Sequence, residues 1–466
     1  MDLTSLLDPL APVQVVGEPA VEIADLAYDS RAVRPGTLFF CVPGGRTDGH
    51  GFAQSAVEAG ASALVVERPV PVRVPQIVVA DAREAMARAA AEFFGQPTEE
   101  LEVAAVTGTN GKTTTSFLLH SILDADGRRP GLLGTIETVV GGERRPAIRT
   151  TPEAIDLQRT FREMLDAGDR SAALEATSHG SEQKLLLGVR FACLVFTNLS
   201  QDHLDFHGTM EAYFDAKRRL FVEGLPPAAV NVGDPYGRTL AKELRDLGGG
   251  LVTFGFADDA ELRPGDVEVT TTLRGRFNVE NVLGAFAAGR LLGIEDDVIA
   301  AGIEKLEGVP GRFEPVDEGQ PFTVLVDYAH TPEALENVLR AARDLDTGRL
   351  LCVFGCGGDR DRGKRPVMGR IAGELADLAI VTSDNPRSEE PRAIIEEIVS
   401  GAASELEVEP DRREAIARAI EEAQPGDVVL IAGKGHEQGQ QFRDRTVPFD
   451  DREVAREALR RLGAAA

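Results

Sequence analysis

The stretch that decides the fold is Val103-Ala104-Ala105-Val106-Thr107-Gly108-Thr109-Asn110-Gly111-Lys112-Thr113-Thr114-Thr115. Its apolar start predicts a buried strand, and the lysine and threonines after the turn predict the first residues of a helix. Backbone N–H groups in such a turn, together with the positive end of the helix, suit phosphate oxygens. We expect Lys112 to reach the terminal phosphates and the Thr113 hydroxyl to hold Mg2+.

An ordinary capped helix would explain the threonines, but it does not require Gly-Lys-Thr directly behind a buried strand. The spacing also departs from the generic phosphate loop, because Val106 stands five positions before Gly111. The predicted ATP-binding residues of this segment are Gly108, Thr109, Asn110, Gly111, Lys112, Thr113 and Thr114.

Composition limits the function classes. The chain has 466 residues, which is too long for one ordinary core, and a net charge of −26, which argues against a nucleic-acid or anionic-membrane surface. No apolar run approaches the roughly 20 residues that span a bilayer, and we expect a cytoplasmic enzyme. The few cysteines are scattered; Cys352 and Cys356 favour a buried strand entering a glycine loop over a metal site or disulfide. Lysine is scarce, so a lysine inside a motif is informative.

Two breaks divide the chain, at Gly95-Gln96-Pro97 and around Gly308-Val309-Pro310-Gly311. Short apolar runs alternate with helical patterns in all three segments, which predicts α/β domains with parallel sheets at 1–96, 97–308 and 309–466. Predicted strands of the outer segments lie at 14–16, 37–42, 63–66, 76–79, 322–327, 351–354, 378–381 and 428–431, and predicted helices at 83–94, 332–344, 391–401 and 411–423.

The middle segment carries acids and histidines where predicted strands end. Glu175 follows the apolar run 172–174, a place suited to a Mg2+ ligand, although a lone glutamate there is more often solvated. A further strand is predicted at 194–199, followed by Asp202-His203-Leu204-Asp205-Phe206-His207. A helix starting near Thr209 is expected to bring Lys217 to its inner face; the alternative is a surface lysine paired with Asp215 or Glu211.

The segment from Asp202 to Lys217, Asp-His-Leu-Asp-Phe-His-Gly-Thr-Met-Glu-Ala-Tyr-Phe-Asp-Ala-Lys, is similar to a signature of the Mur ligase family, and Thr-Gly-Thr-Asn-Gly-Lys-Thr resembles that family's phosphate loop. The resemblance implies three domains, with a central P-loop ATPase-like domain and a Rossmann-like C-terminal domain. It also implies a CO2-derived carbamate on Lys217, with Thr113, Glu175, His203 and Lys217 as ligands of two Mg2+ ions. Lys112, Lys217 and His203 would form the catalytic set.

The resemblance extends along the chain. Around Asp29-Ser30-Arg31 and Thr150-Thr151-Pro152 it implies contacts to a UDP-MurNAc-dipeptide, with the expected residues being Tyr28, Ser30, Thr150, Thr151, Thr177 and Gln183. It also implies nucleotide contacts from Asn278, Asn281, Arg312 and Asp327. One departure affects the diphosphate contact: Leu185 stands where the family has arginine, and Lys184 could replace only its charge.

Asp384-Asn385-Pro386-Arg387 resembles the motif of relatives that add meso-diaminopimelate, although in isolation it would be read as a turn. An arginine fork can pair with the second carboxylate that diaminopimelate has and lysine lacks. The expected amino-acid site comprises Arg360, Asp384, Asn385, Pro386, Arg387, Gly433 and Glu437.

The expected reaction is ATP-dependent amide ligation of meso-diaminopimelate to UDP-MurNAc-L-Ala-D-Glu through an acyl phosphate, in peptidoglycan synthesis and therefore in cell-wall growth, cell shape and division. The rivals are an L-lysine-adding ligase, a folylpolyglutamate-type ligase and a non-enzymatic nucleotide-binding switch. A monomer without nucleic-acid partner or membrane insertion is expected.

Overall fold

The computed structural model of the chain describes residues 1–45, 47–345 and 348–465. Residues 1–96 contain strands β1 (Gln14–Val16), β2 (Asp25–Ala27), β3 (Thr37–Phe40), β4 (Ala61–Val66) and β5 (Gln76–Val78), and helices α1 (Leu7–Leu10), α2 (Ala53–Glu58) and α3 (Ala82–Phe93).

Residues 97–308 contain strands β6 (Glu102–Thr107), β7 (Pro130–Leu133), β8 (Glu137–Val140), β9 (Glu143–Pro146), β10 (Ser171–Glu175), β11 (Phe191–Phe196), β12 (Ala228–Asn231) and β13 (Leu251–Phe254). Their helices are α4 (Lys112–Ala125), α5 (Ala154–Ala167), α6 (Ser178–Glu182), α7 (Leu204–His207), α8 (Met210–Val222), α9 (Pro235–Asp246), α10 (Arg276–Leu291) and α11 (Asp296–Lys305).

From residue 309 onwards the strands are β14 (Glu314–Pro315), β15 (Thr323–Asp327), β16 (Leu350–Phe354), β17 (Leu378–Val381), β18 (Glu407–Val408), β19 (Val428–Ala432), β20 (Gly439–Gln441) and β21 (Thr446–Pro448). The helices are α12 (Pro332–Arg343), α13 (Lys364–Leu375), α14 (Pro391–Val399), α15 (Arg412–Glu422) and α16 (Asp451–Ala465). The strands and helices expected in the outer segments are confirmed to within two residues.

The chain forms two compact units. The first comprises Met1–Thr107, Gly127–Leu194 and Arg219–Pro226, and the second Gly108–Asp126, Val195–Arg218 and Pro227–Ala466. In the first unit, one sheet has the order β1-β5-β4-β3-β2 with only β1 antiparallel to its neighbour. A second group has the order β6-β10-β7-β8-β9, in which β6, β10 and β7 are parallel.

The second unit contains the six-stranded sheet β14-β15-β19-β16-β17-β18, which is parallel apart from β14. Successive strand residues alternate between its two faces, because side chains on a strand have a period of two. Leu350 and Cys352 pack in the core beneath α12, α13 and α14, while Leu351 and Val353 pack beneath α15 and α16. A sheet covered on both faces explains why these strands are almost wholly apolar.

Local sequence signals set the element ends in the same unit. Pro332 occupies the first turn of α12, and the Thr331 side chain caps it by accepting a hydrogen bond from the Ala334 N–H.

The expectation for the cysteines is confirmed: Cys352 lies in buried β16, Cys356 follows in the loop, and both are free thiols. No helix of the described residues is both long and apolar enough to cross a membrane.

One predicted strand begins and ends three residues earlier in the structure than expected. The strand expected at 194–199 is Phe191–Phe196, and the chain leaves the strand before Thr197. The Thr197 hydroxyl donates to the Asn110 carbonyl at 2.6 Å, and the Thr109 N–H donates to the Asn198 carbonyl at 2.9 Å. Thr197 and Asn198 therefore hydrogen-bond to the loop between β6 and α4 instead of continuing the strand.

A buried ion pair offers a test of the packing of the second unit. The Arg412 guanidinium and the Asp451 carboxylate are both fully buried and form two hydrogen bonds at 2.7 Å. We expect Asp451→Asn to lower the free energy of unfolding by about 3–5 kcal/mol, because it leaves a buried guanidinium without its counter-charge. Urea unfolding measures the effect.

The matched control is Glu318→Gln, which removes the partner of Arg460, a side chain that is 63% exposed. Its expected cost is at most about 1 kcal/mol. Equal urea midpoints for the two variants would contradict the assignment of Asp451 as the counter-ion on which Arg412 depends.

Candidate functional site

The loop between β6 and α4 is folded around its own lysine. The Lys112 ammonium donates to the carbonyls of Gly108, at 3.0 Å, and Thr109, at 2.8 Å. Gly111 precedes α4 with φ +87°, a conformation that favours glycine. The turn predicted from the sequence is therefore present, with a cation held directly over it.

Close neighbours explain both glycines of this loop. A Cβ on Gly108 would lie 1.9 Å from Thr197 Oγ1, and one on Gly111 would lie 2.3 Å from Asn281 Oδ1. The Asn110 N–H donates to Asn198 Oδ1 at 2.9 Å. Thr197 and Asn198 were missed by the sequence analysis, although a Thr-Asn pair at the end of a buried strand was the signal that could have indicated them.

Asn278 and Asn281, predicted to contact the nucleotide, are buried in the first turns of α10. The Asn281 amide donates to Asn278 Oδ1 at 3.0 Å, while the Asn278 amide donates to the Arg274 carbonyl at 2.8 Å. Their side chains are therefore fixed in place beside Gly111. Thr113 and Thr114 are also buried, in the first turn of α4.

Lys217 lies in the interior of the second unit. It is 1% exposed, its ammonium donates to the Gly108 carbonyl at 2.8 Å, and it lies 4.7 Å from the centre of the Tyr213 ring. Burial, and then the charge of Lys112, lower the pKa of Lys217 well below its usual value, against an opposing effect of Asp202. The surface alternative, with Asp215 or Glu211 as partner, is wrong.

His203 stands before α7 with φ +55°, and Asp202 beside it is 6% exposed. Asp202 Oδ2 lies 3.4 Å from His203 Nε2 and 3.9 Å from His330 Nε2. Burial raises the pKa of Asp202, but His203, His330 and Lys364 outweigh it and hold the pKa at about 2. Asp202, His330 and Lys364 were not predicted; the first is within the quoted signature, but the others are distant in sequence.

Arg312 and Asp327, both predicted to contact the nucleotide, have different contacts in the structure. Arg312 Nη2 donates to Thr113 Oγ1 at 2.9 Å, and its guanidinium lies 4.4 Å from the centre of the Tyr328 ring. The buried Asp327 carboxylate accepts from the Phe313 N–H at 2.7 Å. Burial raises the pKa of Asp327 to about 6, although Arg312 and backbone donors oppose it. Asp327 therefore supports the backbone next to Arg312.

The predicted amino-acid site is brought together in the second unit. The Asn385 amide donates to Glu437 Oε2 at 2.8 Å, and the Lys434 ammonium donates to Asn385 Oδ1 at 3.1 Å and to Glu437 Oε2 at 2.7 Å. Gly433 has φ +122°, and a Cβ there would lie 2.7 Å from Asp384 Oδ2. Lys434 was not predicted as part of this site.

Arg387 and Arg360 form the positively charged side of this site. Arg387 Nη1 donates to the Gly358 carbonyl at 2.7 Å, and Arg360 Nη1 donates to the Asp359 carbonyl at 3.1 Å. Neither guanidinium forms an ion pair with another described residue. Burial and the charge of Arg360 lower the pKa of Arg387, opposed by nearby carboxylates. Pro386 lies between Asn385 and Arg387 and is buried.

In the first unit, Glu175 ends β10 and is fully buried. Its Oε1 accepts from the Thr135 N–H at 2.7 Å, and its Oε2 accepts from the Thr135 hydroxyl at 2.9 Å. The alternative of a solvated strand end is therefore wrong. Thr151 donates to the Glu175 carbonyl at 2.8 Å.

The other residues predicted to hold the UDP-linked substrate also lie in the first unit. The Tyr28 hydroxyl donates to Asp156 at 2.7 Å, and Ser30 begins a 3-10 helix, Ser30–Ala32. Thr177 caps α6, which Gln183 follows. Lys184 pairs with Asp81 at 2.8 Å and Glu84 at 2.6 Å, so its charge is already compensated and it is a poor replacement for the missing arginine.

The Thr113 hydroxyl in the second unit and the Glu175 carboxylate in the first are each, taken by themselves, oxygen ligands of the kind that Mg2+ prefers. Gly134 also leaves room around the carboxylate: a Cβ there would lie 2.6 Å from Glu175 Oε1. Lys217 fits a cation only after conversion to an anion. Within residues 1–45, 47–345 and 348–465, no three His, Cys, Asp or Glu side chains form a ready-made metal cluster.

Three family models match successive parts of the chain: the Mur ligase family catalytic domain at residues 22–94, the Mur ligase middle domain at 106–289 and the Mur ligase glutamate ligase domain at 311–435. The chain belongs to the Mur ligase family. The resemblance predicted from the sequence is confirmed, as is the mixed α/β fold with parallel sheets.

Relatives in the family match nearly the whole chain. The UDP-N-acetylmuramoyl-L-alanyl-D-glutamate--2,6-diaminopimelate ligase of Solibacter usitatus is 45% identical, covering 98% of this chain and 96% of the relative. The enzyme of the same name from Halalkalibacterium halodurans is 45% identical, covering 98% and 99%. A solved structure with that name has 32% identity and a TM-score of 0.69, covering 99% of both chains.

The close approach at Gly111 predicts a specific effect on nucleotide binding. We expect Gly111→Ala to weaken ATP binding at least about tenfold, because the new methyl group displaces Asn281 and the loop. Isothermal titration calorimetry with Mg2+ and ATP measures the affinity.

Gly127→Ala is the matched control. Gly127 also has a positive φ, +74°, but a Cβ there would have nothing within 4 Å. Both variants carry the roughly 1–2 kcal/mol cost of left-handed backbone, so only crowding of the loop distinguishes them. Equal ATP affinities would contradict this role of Gly111.

Proposed function

We propose that the chain is the ATP-dependent ligase that adds meso-2,6-diaminopimelate to UDP-MurNAc-L-Ala-D-Glu in peptidoglycan synthesis. Full-length similarity to enzymes named for this reaction supports the reaction class. The observation that carries the choice of amino acid is the pair Arg387 and Arg360, two guanidiniums without a carboxylate partner among the described residues. They would take the second carboxylate that lysine lacks.

The proposed reaction has two steps. The γ-carboxylate of D-Glu attacks the γ-phosphorus of ATP, which forms an acyl phosphate and releases ADP. The amine of diaminopimelate then attacks the acyl carbon and displaces inorganic phosphate, forming the amide. Lys112 would neutralise the charge that develops on the transferred phosphoryl group, and Mg2+, when bound, would neutralise more of it.

The proposed ligands of two Mg2+ ions are Thr113, Glu175, His203 and a carbamate on Lys217. The low pKa of Lys217 supports this, because an uncharged amine can add CO2 with loss of one proton. The same Lys112 charge that disfavours an ammonium at Lys217 would stabilise a carbamate anion. The proposal therefore uses the burial of Lys217 and does not require the lysine to stay charged in the interior.

We further propose domains at 1–96, 97–308 and 309–466, and each range matched by a family model falls within one of them. We also propose that the chain is a monomer. We propose that it acts in the cytoplasm, because ATP and nucleotide-linked sugars are made there. The assigned nucleotide and substrate contacts belong to the same proposal.

The deciding experiment measures ADP release by the purified chain with Mg2+, ATP and UDP-MurNAc-L-Ala-D-Glu, with either meso-diaminopimelate or L-lysine added. We expect ADP and amide product only with both co-substrates present, and a preference for diaminopimelate of roughly 10^4-fold, as for a site built to pair with a substrate charge that the analogue lacks. Preference for lysine would support the closest rival. ATP binding without ligation would support the switch.

Arg387 provides the specificity test. We expect Arg387→Ala to reduce kcat/KM for diaminopimelate by at least about 100-fold, in line with the roughly 2–5 kcal/mol lost when one partner is removed from a charge pair that the bound substrate would bury. Lysine turnover should change little. Arg387→Lys should recover only part of the loss, because an ammonium lacks the bidentate fork.

Arg445→Ala is the control for a general loss of positive charge, since that side chain is 65% exposed. It should leave kcat/KM for diaminopimelate unchanged. If Arg387→Ala reduced the turnover of both amino acids equally, Arg387 would not be the partner of the second carboxylate.

A further inference from the structure

Thr135, between β7 and β8, is absent from the mechanism proposed above but binds both oxygens of the Glu175 carboxylate. Its N–H donates to Oε1 at 2.7 Å and its hydroxyl to Oε2 at 2.9 Å. Gly134 allows this approach, since a Cβ there would lie 2.6 Å from Oε1. Gly134 and Thr135 therefore pack closely around the fully buried Glu175 carboxylate.

The same hydroxyl also contacts Thr150, at an oxygen–oxygen distance of 3.1 Å. A threonine hydroxyl has one proton, and an ionised carboxylate can only accept. Since the Thr135 proton is directed to Glu175, the Thr150 hydroxyl must donate to Thr135. The hydrogen bonds therefore run in one direction, from Thr150 through Thr135 to Glu175.

This direction determines how Thr150 can meet a ligand. With its own proton committed to Thr135, the Thr150 oxygen can only accept further hydrogen bonds. It would therefore recognise an N–H or O–H group, and it is unsuited to a phosphate or carboxylate oxygen.

Thr151 differs from its neighbour. Its hydroxyl donates to the Glu175 carbonyl at 2.8 Å and accepts from the Thr177 N–H at 3.1 Å. The Thr177 hydroxyl lies 2.9 Å away and must donate, because the Thr151 proton is already used. Thr151 is also only 5% exposed. Of the two adjacent threonines, Thr150 is the one with hydrogen-bonding capacity left.

We propose that Thr135 is a positioning residue that couples the Thr150 loop to the Glu175 carboxylate, and that Thr150 accepts a hydrogen bond from an amide or hydroxyl group of the UDP-linked substrate. The inference rests on the proposed function for the identity of that substrate. A donor on Thr150 polarises and fixes the hydroxyl chain, which in turn fixes the carboxylate. Substrate and divalent cation therefore each tighten the binding of the other, by the same factor.

The test uses Mn2+ as a probe, with free Mn2+ measured by electron paramagnetic resonance in the presence of ADP, with and without UDP-MurNAc-L-Ala-D-Glu. For the wild-type chain we expect the substrate to tighten Mn2+ binding. Thr135→Val should weaken Mn2+ binding about tenfold, as expected for loss of a hydrogen bond to a metal ligand, and should abolish the tightening. Thr150→Val should abolish the tightening with a smaller effect on Mn2+ alone.

Thr135→Ser keeps the hydroxyl and should restore both properties, which a merely structural role of the side chain would not predict. Thr138→Val is the matched control on adjacent β8, where the half-buried Thr138 is outside the hydroxyl chain. It should behave as wild type. Thermal unfolding of every variant establishes that each is folded.

The proposal would be overturned if Thr135→Val bound Mn2+ as tightly as the wild-type chain and its Mn2+ binding were still tightened by the substrate. It would also be overturned if Thr135→Ser bound Mn2+ no more tightly than Thr135→Val and lacked the tightening by substrate. If the wild-type chain forms no amide, the proposed function fails. The Mn2+ titration with ADP alone would then still decide whether Thr135 positions Glu175. In turnover, Thr135→Val should lower kcat and raise the Mg2+ requirement while the KM for ATP stays unchanged.

Discussion

Two lysine ammonium groups converge on one backbone carbonyl, that of Gly108, and the candidate site is arranged around this contact. Lys112 approaches at 3.0 Å and Lys217 at 2.8 Å, the second from a fully buried position. Burial disfavours the charged form of Lys217, and the nearby charge of Lys112 disfavours it further, so the pKa of Lys217 is lowered. The repulsion between the two ammonium groups is relieved if Lys217 gives up its positive charge.

Side chains from other segments hold the loop around the Gly108 carbonyl in place. Because Gly108 and Gly111 have no Cβ, Thr197 and Asn281 approach the loop more closely than they could if another residue stood at either position. Arg312 donates to the Thr113 hydroxyl from the part of the second unit that also contains the proposed amino-acid site. The loop is therefore held by side chains from several elements, so a change at one contact is expected to affect nucleotide binding without unfolding the chain.

The sequence predicted most of the fold because the apolar runs of the parallel sheets and the glycine and proline breaks are local signals. It also predicted that Lys217 lies on the inner face of its helix. For Glu175 it predicted the place at the end of a strand but left open whether the carboxylate is solvated. It failed where partners come from distant segments. Asp202 meets His330, Lys434 meets Asn385, and Thr135 meets Glu175 only through the tertiary fold. The strand end at Phe196 likewise depends on a hydrogen bond from Thr197 to the loop.

The most direct measurement of the central claim is 13C nuclear magnetic resonance of the folded chain in 13C-labelled bicarbonate. If Lys217 is an uncharged amine beneath the nucleotide loop, the wild-type spectrum will contain one carbamate resonance per chain, and Lys217→Arg will lack it because a guanidinium stays charged. A wild-type spectrum without a carbamate resonance, or one that Lys217→Arg leaves unchanged, would contradict the account.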